Sequence, residues 1–140
     1  INPQEYRVEV FNPPYALSGA TPPSFTLRSK YWAYSDTKKV IATANFPSDS
    51  LAAIRASMMT AVSSTHGNSM GQRTLFLDIS CTGSAGTATC TITTPTSAYV
   101  ALPGWYMVFV LDGNTPRPAI YVRIGGSIAD AAGVSNWLQI

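Results

Sequence analysis

Trp105-Tyr106-Met107-Val108-Phe109-Val110-Leu111 is continuously apolar, preceded by Leu102-Pro103-Gly104 and closed by Asp112-Gly113. An apolar run of that length between turn residues has the pattern of a central β-strand with both faces covered. Downstream, Ala119 to Ile124 supplies the next strand. Upstream, Arg73 to Cys81 alternates, with Leu75, Leu77 and Ile79 on one face, and Cys90 to Thr94 pairs back to it across a Gly-rich turn. Ala56 to Ser63 and Lys39 to Phe46 read as further strands, the second ended by Pro47, and Leu51 to Ala56 also allows a helical turn after Ser48-Asp49-Ser50. Phe25 to Leu27 is a short strand and Lys30 to Tyr34 begins another. Tyr6 to Phe11 alternates Val8 and Val10 against Arg7 and Glu9 until Asn12-Pro13-Pro14, where proline cannot donate to a ladder. Seven or eight short strands between turn signals predict an all-β, two-sheet sandwich of immunoglobulin-like type over residues 1–126. Residues 127–140 form a tail in which the spacing of Ile128, Ala131, Ala132, Ser135 and Leu138 predicts a short helix.

The composition agrees with that fold. Of 140 residues only 11% are charged, against about 25% in an average domain, while 15 Ser and 15 Thr wet the surface and ten Gly and ten Pro turn the chain. A net charge of +2 from scattered residues makes no field that would gather nucleic acid or an anionic membrane. No apolar run approaches the roughly 18–20 residues of a membrane span. Ile1 opens the chain without an initiator Met or an apolar signal core, so the start reads as a cut in a longer protein. Cys81 and Cys90 flank Thr-Gly-Ser-Ala-Gly-Thr-Ala-Thr, a hairpin spacing that favours a disulfide, and with it a secreted setting, over free thiols or a zinc site. No Asn-x-Ser/Thr sequon is present.

Self-sufficient catalysis has little to work with here. His66 is the single histidine, and no Gly-x-Ser-x-Gly elbow accompanies it. The seven carboxylates are spread singly, and no phosphate-binding loop occurs. One imidazole does not hold a metal tightly, and a plain exposed loop histidine is the alternative. Gln72-Arg73 reads equally as a polar pair entering a strand, with Arg73 in a surface ion pair. Asn12-Pro13-Pro14-Tyr15 fits a rigid strand exit, Trp105-Tyr106 the core and Met58-Met59 strand packing.

Three segments in order carry a resemblance: Phe11-Asn12-Pro13-Pro14-Tyr15, then Thr65-His66-Gly67-Asn68-x-x-x-Gln72-Arg73, then Leu102-Pro103-Gly104-Trp105-Tyr106-Met107-Val108-Phe109-Val110-Leu111-Asp112. Over about residues 6 to 124 the chain resembles the C-terminal immunoglobulin-like (E-set) domain of the copper radical oxidases, the galactose oxidase and glyoxal oxidase family. The resemblance implies a sandwich set against an upstream β-propeller of the same protein, whose axis receives a loop carrying one histidine ligand to copper. The matching position is His66, with Thr65, Gly67, Gln72 and Arg73 as loop support and Gly67 and Gly71 allowing a tight turn. The family's other ligands, two tyrosines and a second histidine, lie on the propeller, so the chain alone is not expected to be active. The whole enzyme would oxidise an alcohol or aldehyde with O₂, giving H₂O₂, outside the cell. A non-catalytic extracellular module of a cell-wall or surface glycoprotein is the alternative. A carbohydrate-binding sandwich using Tyr31, Trp32 and Tyr34 ranks last, because these aromatics suit packing.

Overall fold

The computed structural model describes residues 6–43, 51–61, 63–70, 73–84 and 87–125. The tail helix expected over 127–140, Gln72, Gly71 and the end of the strand expected to reach Phe46 lie outside the described residues. Strands β1 (Phe25–Leu27), β2 (Tyr31–Trp32), β3 (Thr37–Thr43), β4 (Ile54–Thr60), β5 (Ser63–Thr65) and β6 (Asn68–Met70) make up the first half. Strands β7 (Thr74–Leu77), β8 (Ile79–Ser84), β9 (Thr87–Thr93), β10 (Gly104–Asp112), β11 (Thr115–Pro116) and β12 (Ile120–Ile124) complete the set. A four-stranded sheet in the order β1-β3-β9-β8 faces a second sheet in the order β2-β12-β10-β4-β7, with β11 paired to β10. The result is the expected immunoglobulin-like sandwich.

The run that predicted a central strand does sit at the centre: β10 pairs antiparallel with β4 on one side and β12 on the other. Its Tyr106, Val108 and Val110 are buried and meet Met58, Val122 and Ile124 from the same sheet. Phe25, Cys90 and Ile92 approach from the other sheet, in the aligned two-layer packing typical of sandwiches. The alternate residues Met107, Phe109 and Leu111 are only half-buried, so the outer face is less covered than a continuous apolar run implies. The residues leave water on one face, and the mutual packing of neighbours shields the other in part.

Two expectations need correcting. Residues 6–10 form no strand, although they alternate, and Val8 and Val10 are as exposed as their polar neighbours. Alternation sets which way side chains point, but a strand also needs a neighbouring edge, and the sheets end at β1, β8, β2 and β7 without this segment. The chain then forms one helical turn, α1 (Pro14–Leu17), with proline at its start, where a missing N–H costs nothing. The stretch Arg73 to Cys81 is two strands rather than one. β7 pairs with β4 in one sheet and β8 with β9 in the other, the crossing made at Asp78, whose carbonyl accepts the Thr93 N–H. Side-chain alternation survives the crossing: Leu75 and Ile79 pack against the core and Leu77 is buried in it. The expected turn after Ser50 is a 3₁₀ turn at Leu51–Ala53, and β4 stops at Thr60 instead of running to Ser63.

Cys81 and Cys90 are directly opposed in the β8–β9 ladder and joined as a disulfide, with Cα atoms 4.0 Å apart. The bridge closes a short loop, so its loss is expected to cost roughly 2–3 kcal/mol through a less restricted unfolded chain. The Cys81→Ser/Cys90→Ser chain should therefore show a lower urea midpoint with a somewhat larger m value, because its unfolded state exposes more surface.

Candidate functional site

Among the described residues, strands β5 and β6 pair only with each other and belong to neither layer of the sandwich. The chain leaves the six-stranded sheet after Thr60, forms this hairpin, and returns to it at Thr74. Thr65 faces Asn68 across the ladder, which leaves His66 and Gly67 as a two-residue turn with φ of 53° and 76°. Positive φ at both central positions is the mark of a type I′ turn, whose twist matches the strands it joins. Glycine takes that conformation freely, and histidine is among the few other residues enriched there.

His66 is exposed at the tip, and its Nδ1 lies 2.9 Å from Thr65 Oγ1. In the tautomer where Nδ1–H donates to the hydroxyl, the Nε2 lone pair is left for an outside partner. This is the arrangement by which a ligand histidine is oriented through its second nitrogen. Among the described residues no group of three or more His, Cys, Asp or Glu could hold a metal ion. What this chain can offer a metal is one imidazole on a projecting turn.

At the root of the hairpin, Arg73 bonds to backbone carbonyls, and among the described residues it forms none of the surface ion pairs considered above. Its Nη1 donates to the Tyr99 carbonyl at 3.1 Å and the Val100 carbonyl at 2.6 Å. Those acceptors are backbone atoms in a loop 26 residues away, so no side-chain pattern could have announced them. Two phenols continue the series: Tyr34 Oη donates to the Ala101 carbonyl at 2.7 Å and Tyr106 Oη to the Leu102 carbonyl at 2.8 Å. Gly125, with φ of 67°, passes so close to this corner that a Cβ would stand 3.1 Å from Pro103 and Tyr34. Thr60, Arg73, Pro103, Gly104, Trp105 and Tyr106 line a cleft of about 350 Å³ here, along with Leu102. Gln72, expected beside Arg73 as loop support, is outside the described residues.

The sugar-platform aromatics separate. Trp32 is in the core, Tyr34 is committed to the Ala101 carbonyl, and Tyr31 leans on Trp105 with ring centroids 6.3 Å apart and planes tilted by 57°. They do not form one flat exposed surface.

Burial pushes the Tyr34 phenol above its ordinary pKa of 10.0. Burial does the same to Tyr106, the neighbouring Tyr34 adds to the rise, and Arg73 opposes it. Both phenols therefore hold their protons more tightly folded than unfolded. Their contribution to stability is complete below the unfolded value near pH 10 and is lost as pH rises through the folded values. In an alkaline titration followed at 295 nm, Tyr34 and Tyr106 should ionise above the ordinary phenol value. Tyr106→Phe should remove one of them.

No helix among the described residues is long and apolar enough to cross a membrane. Comparison with known proteins gives a consistent picture. The family model described as "Galactose oxidase-like, Early set domain" matches residues 22–124. A WSC domain-containing protein of Arthroderma benhamiae is 50% identical over 135 residues, which cover 96% of this chain and 13% of that protein. Among solved structures, a fungal alcohol oxidase of the AA5 family in complex with copper superposes with a TM-score of 0.63 at 20% identity. That match covers 81% of this chain and 24% of the oxidase, and at this identity it speaks for the fold. The chain thus spans a small part of both proteins. Matched across nearly the whole of the sandwich, this chain belongs to the galactose oxidase-like early set domain family.

Proposed function

We propose that this chain is the sandwich domain of a secreted copper-dependent oxidase and delivers His66 to a copper site completed by a β-propeller upstream in the same polypeptide. The sandwich is read as residues 1–126, with 127–140 as a C-terminal tail. The observation that carries the reading is the hairpin: an exposed imidazole on a turn that serves neither sheet, with one nitrogen held by Thr65. An element that adds nothing to the core is retained for what its tip can reach. The donor set fits copper to the extent of one neutral nitrogen ligand, imidazole being a common ligand for that metal.

Copper, when bound, would supply the redox centre for oxidation of an alcohol or aldehyde by O₂ with release of H₂O₂. This chain's part is positioning. Thr65 holds the imidazole ring through Nδ1, the paired strands β5 and β6 stiffen the stem, and Arg73 ties the stem's root to the sandwich. The disulfide supports an extracellular setting.

A second reading has its own support. Over the matched segment the WSC domain-containing relative is 50% identical to this chain and carries a name that mentions no oxidase, whereas the named oxidase is 20% identical. In that reading the same sandwich is a non-catalytic module of a cell-wall or surface glycoprotein. Copper retained after dialysis by the full-length protein separates the two. One equivalent in the wild type and far less in the His66→Asn protein supports the ligand role, and equal copper in both overturns it.

A further inference from the structure

We propose that residues 126–140 turn back as a short helix over the outer face of the six-stranded sheet, seating Ile128, Ala131, Ala132 and Leu138 on Trp105, Met107 and Tyr121. In the ladder Met107 stands between Met59 and Tyr121, and Trp105 and Phe109 lie two residues to either side of it along β10. All five point away from the core and none is buried; Tyr121 is 40% exposed. The run from Trp105 to Leu111 is apolar on both faces, the composition of a strand covered on both sides, and the described residues cover only one side fully.

Part of the outer face has neighbours of its own. Phe109 lines a groove of about 410 Å³ with Pro116 and with Tyr15, Ala16 and Pro22 from the segment before β1. Trp105 has the Tyr31 ring beside it. Met107 and Tyr121 stay partly open to solvent. An apolar stripe on one side of an antiparallel sheet is a surface on which helices pack.

The occupant follows from where the chain goes next. Ile124 is opposite Gly104, one residue from Trp105, so the chain leaves β12 beside the open part of the face. Gly125 has φ of 67° and Gly126 follows it, and a pair of glycines permits the reversal that brings the tail back over the sheet. A helix from Ile128 to Leu138 spans about 15 Å, and β10 from Trp105 to Phe109 about 13 Å, so the two lengths match. Ala131 and Ala132, in the middle of the apolar side, let the helix axis come close to the strands. The one charged side chain of the tail is Asp130, opposite in sign to Arg123, which pairs with Trp105 on this face. The family model ends at residue 124, yet the match with the WSC domain-containing relative leaves at most five residues of this chain outside it, so the tail accompanies the sandwich there.

Hydroxyl-radical footprinting of the full-length protein, read residue by residue by mass spectrometry, tests the seat. In the wild type Met107 should be labelled far more slowly than Met70, which is 53% exposed. Ile128→Ser/Leu138→Ser should raise the labelling of Met107 and Tyr121 by about fivefold, as two anchors are lost. Met58, fully buried between the layers, should stay unlabelled and so report an intact sandwich in the same sample. Ala132→Lys keeps helix propensity but sets a charge in the middle of the contact, and should give the same rise. If Met58 becomes labelled in the double variant, the sandwich itself has opened and Ala132→Lys decides. Wild-type Met107 labelled as fast as Met70, or protection unchanged in both variants, overturns the proposal. Protection that disappears on dilution, with sedimentation falling from dimer to monomer, also overturns it by making a second copy the occupant.

Discussion

On the proposed ligand role, His66→Asn in the full-length protein is expected to lower copper-dependent peroxide production by more than about a hundredfold. Asparagine is the informative substitution because the turn demands positive φ at position 66, which asparagine accepts readily, so the hairpin persists while the imidazole is removed. The magnitude follows from a comparison. Groups that merely orient a ligand histidine are worth roughly 10–100-fold in metal affinity or activity, and the ligand itself exceeds them. Thr65→Val, which deletes the hydroxyl facing Nδ1, should fall within that lower range, with β-strand propensity preserved. Peroxide output measured with a coupled peroxidase at saturating copper would show the graded order wild type, Thr65→Val, His66→Asn. Equal rates in all three would remove the hairpin from the metal site.

Trp32→Ala is expected to be the most damaging single change to the fold, costing about 3–5 kcal/mol. Trp32 is 1% exposed and is the largest of the fully buried side chains. Its indole N–H donates to the Ser29 carbonyl, and its own carbonyl accepts the Gly125 N–H, so it also fastens the two-residue strand β2 beside β12. A total stability of 5–15 kcal/mol is usual for a domain, so the variant would stand near the limit of folding. Urea denaturation of this chain should show the midpoint lowered by about 2 M with little change in slope. A shift below about 0.5 M would mean that the ring is not packed as described.

The legible parts of the fold were those where a single physical demand governs. Trp105 to Leu111 had to be buried, and it became the middle of a sheet. Cys81 and Cys90 had to be apposed, and the hairpin between them formed. Tyr6 to Phe11 misled because its alternation met the demand on side chains, but the segment is not paired into either sheet. The break at Asp78 was invisible because Leu75, Leu77 and Ile79 keep facing the core while the chain changes layers. At the candidate site, the Thr65-His66-Gly67 motif singled out the tip. The strands beneath it did not show, since Ser63, Ser64, Asn68 and Ser69 carry no apolar period. Arg73 was picked out by its place after the motif, but its acceptors are carbonyls, and every residue has one.

The passage of one continuous segment from β7 into β8 has a consequence for assembly. Because Asp78 alone separates the two strands, a one-residue slip of β7 against β4 would drag β8 along and turn Leu75, Leu77 and Ile79 toward solvent in both layers at once. Misaligned intermediates are thereby penalised twice for a single mistake, which couples the correct alignment of one layer to that of the other as the chain collapses.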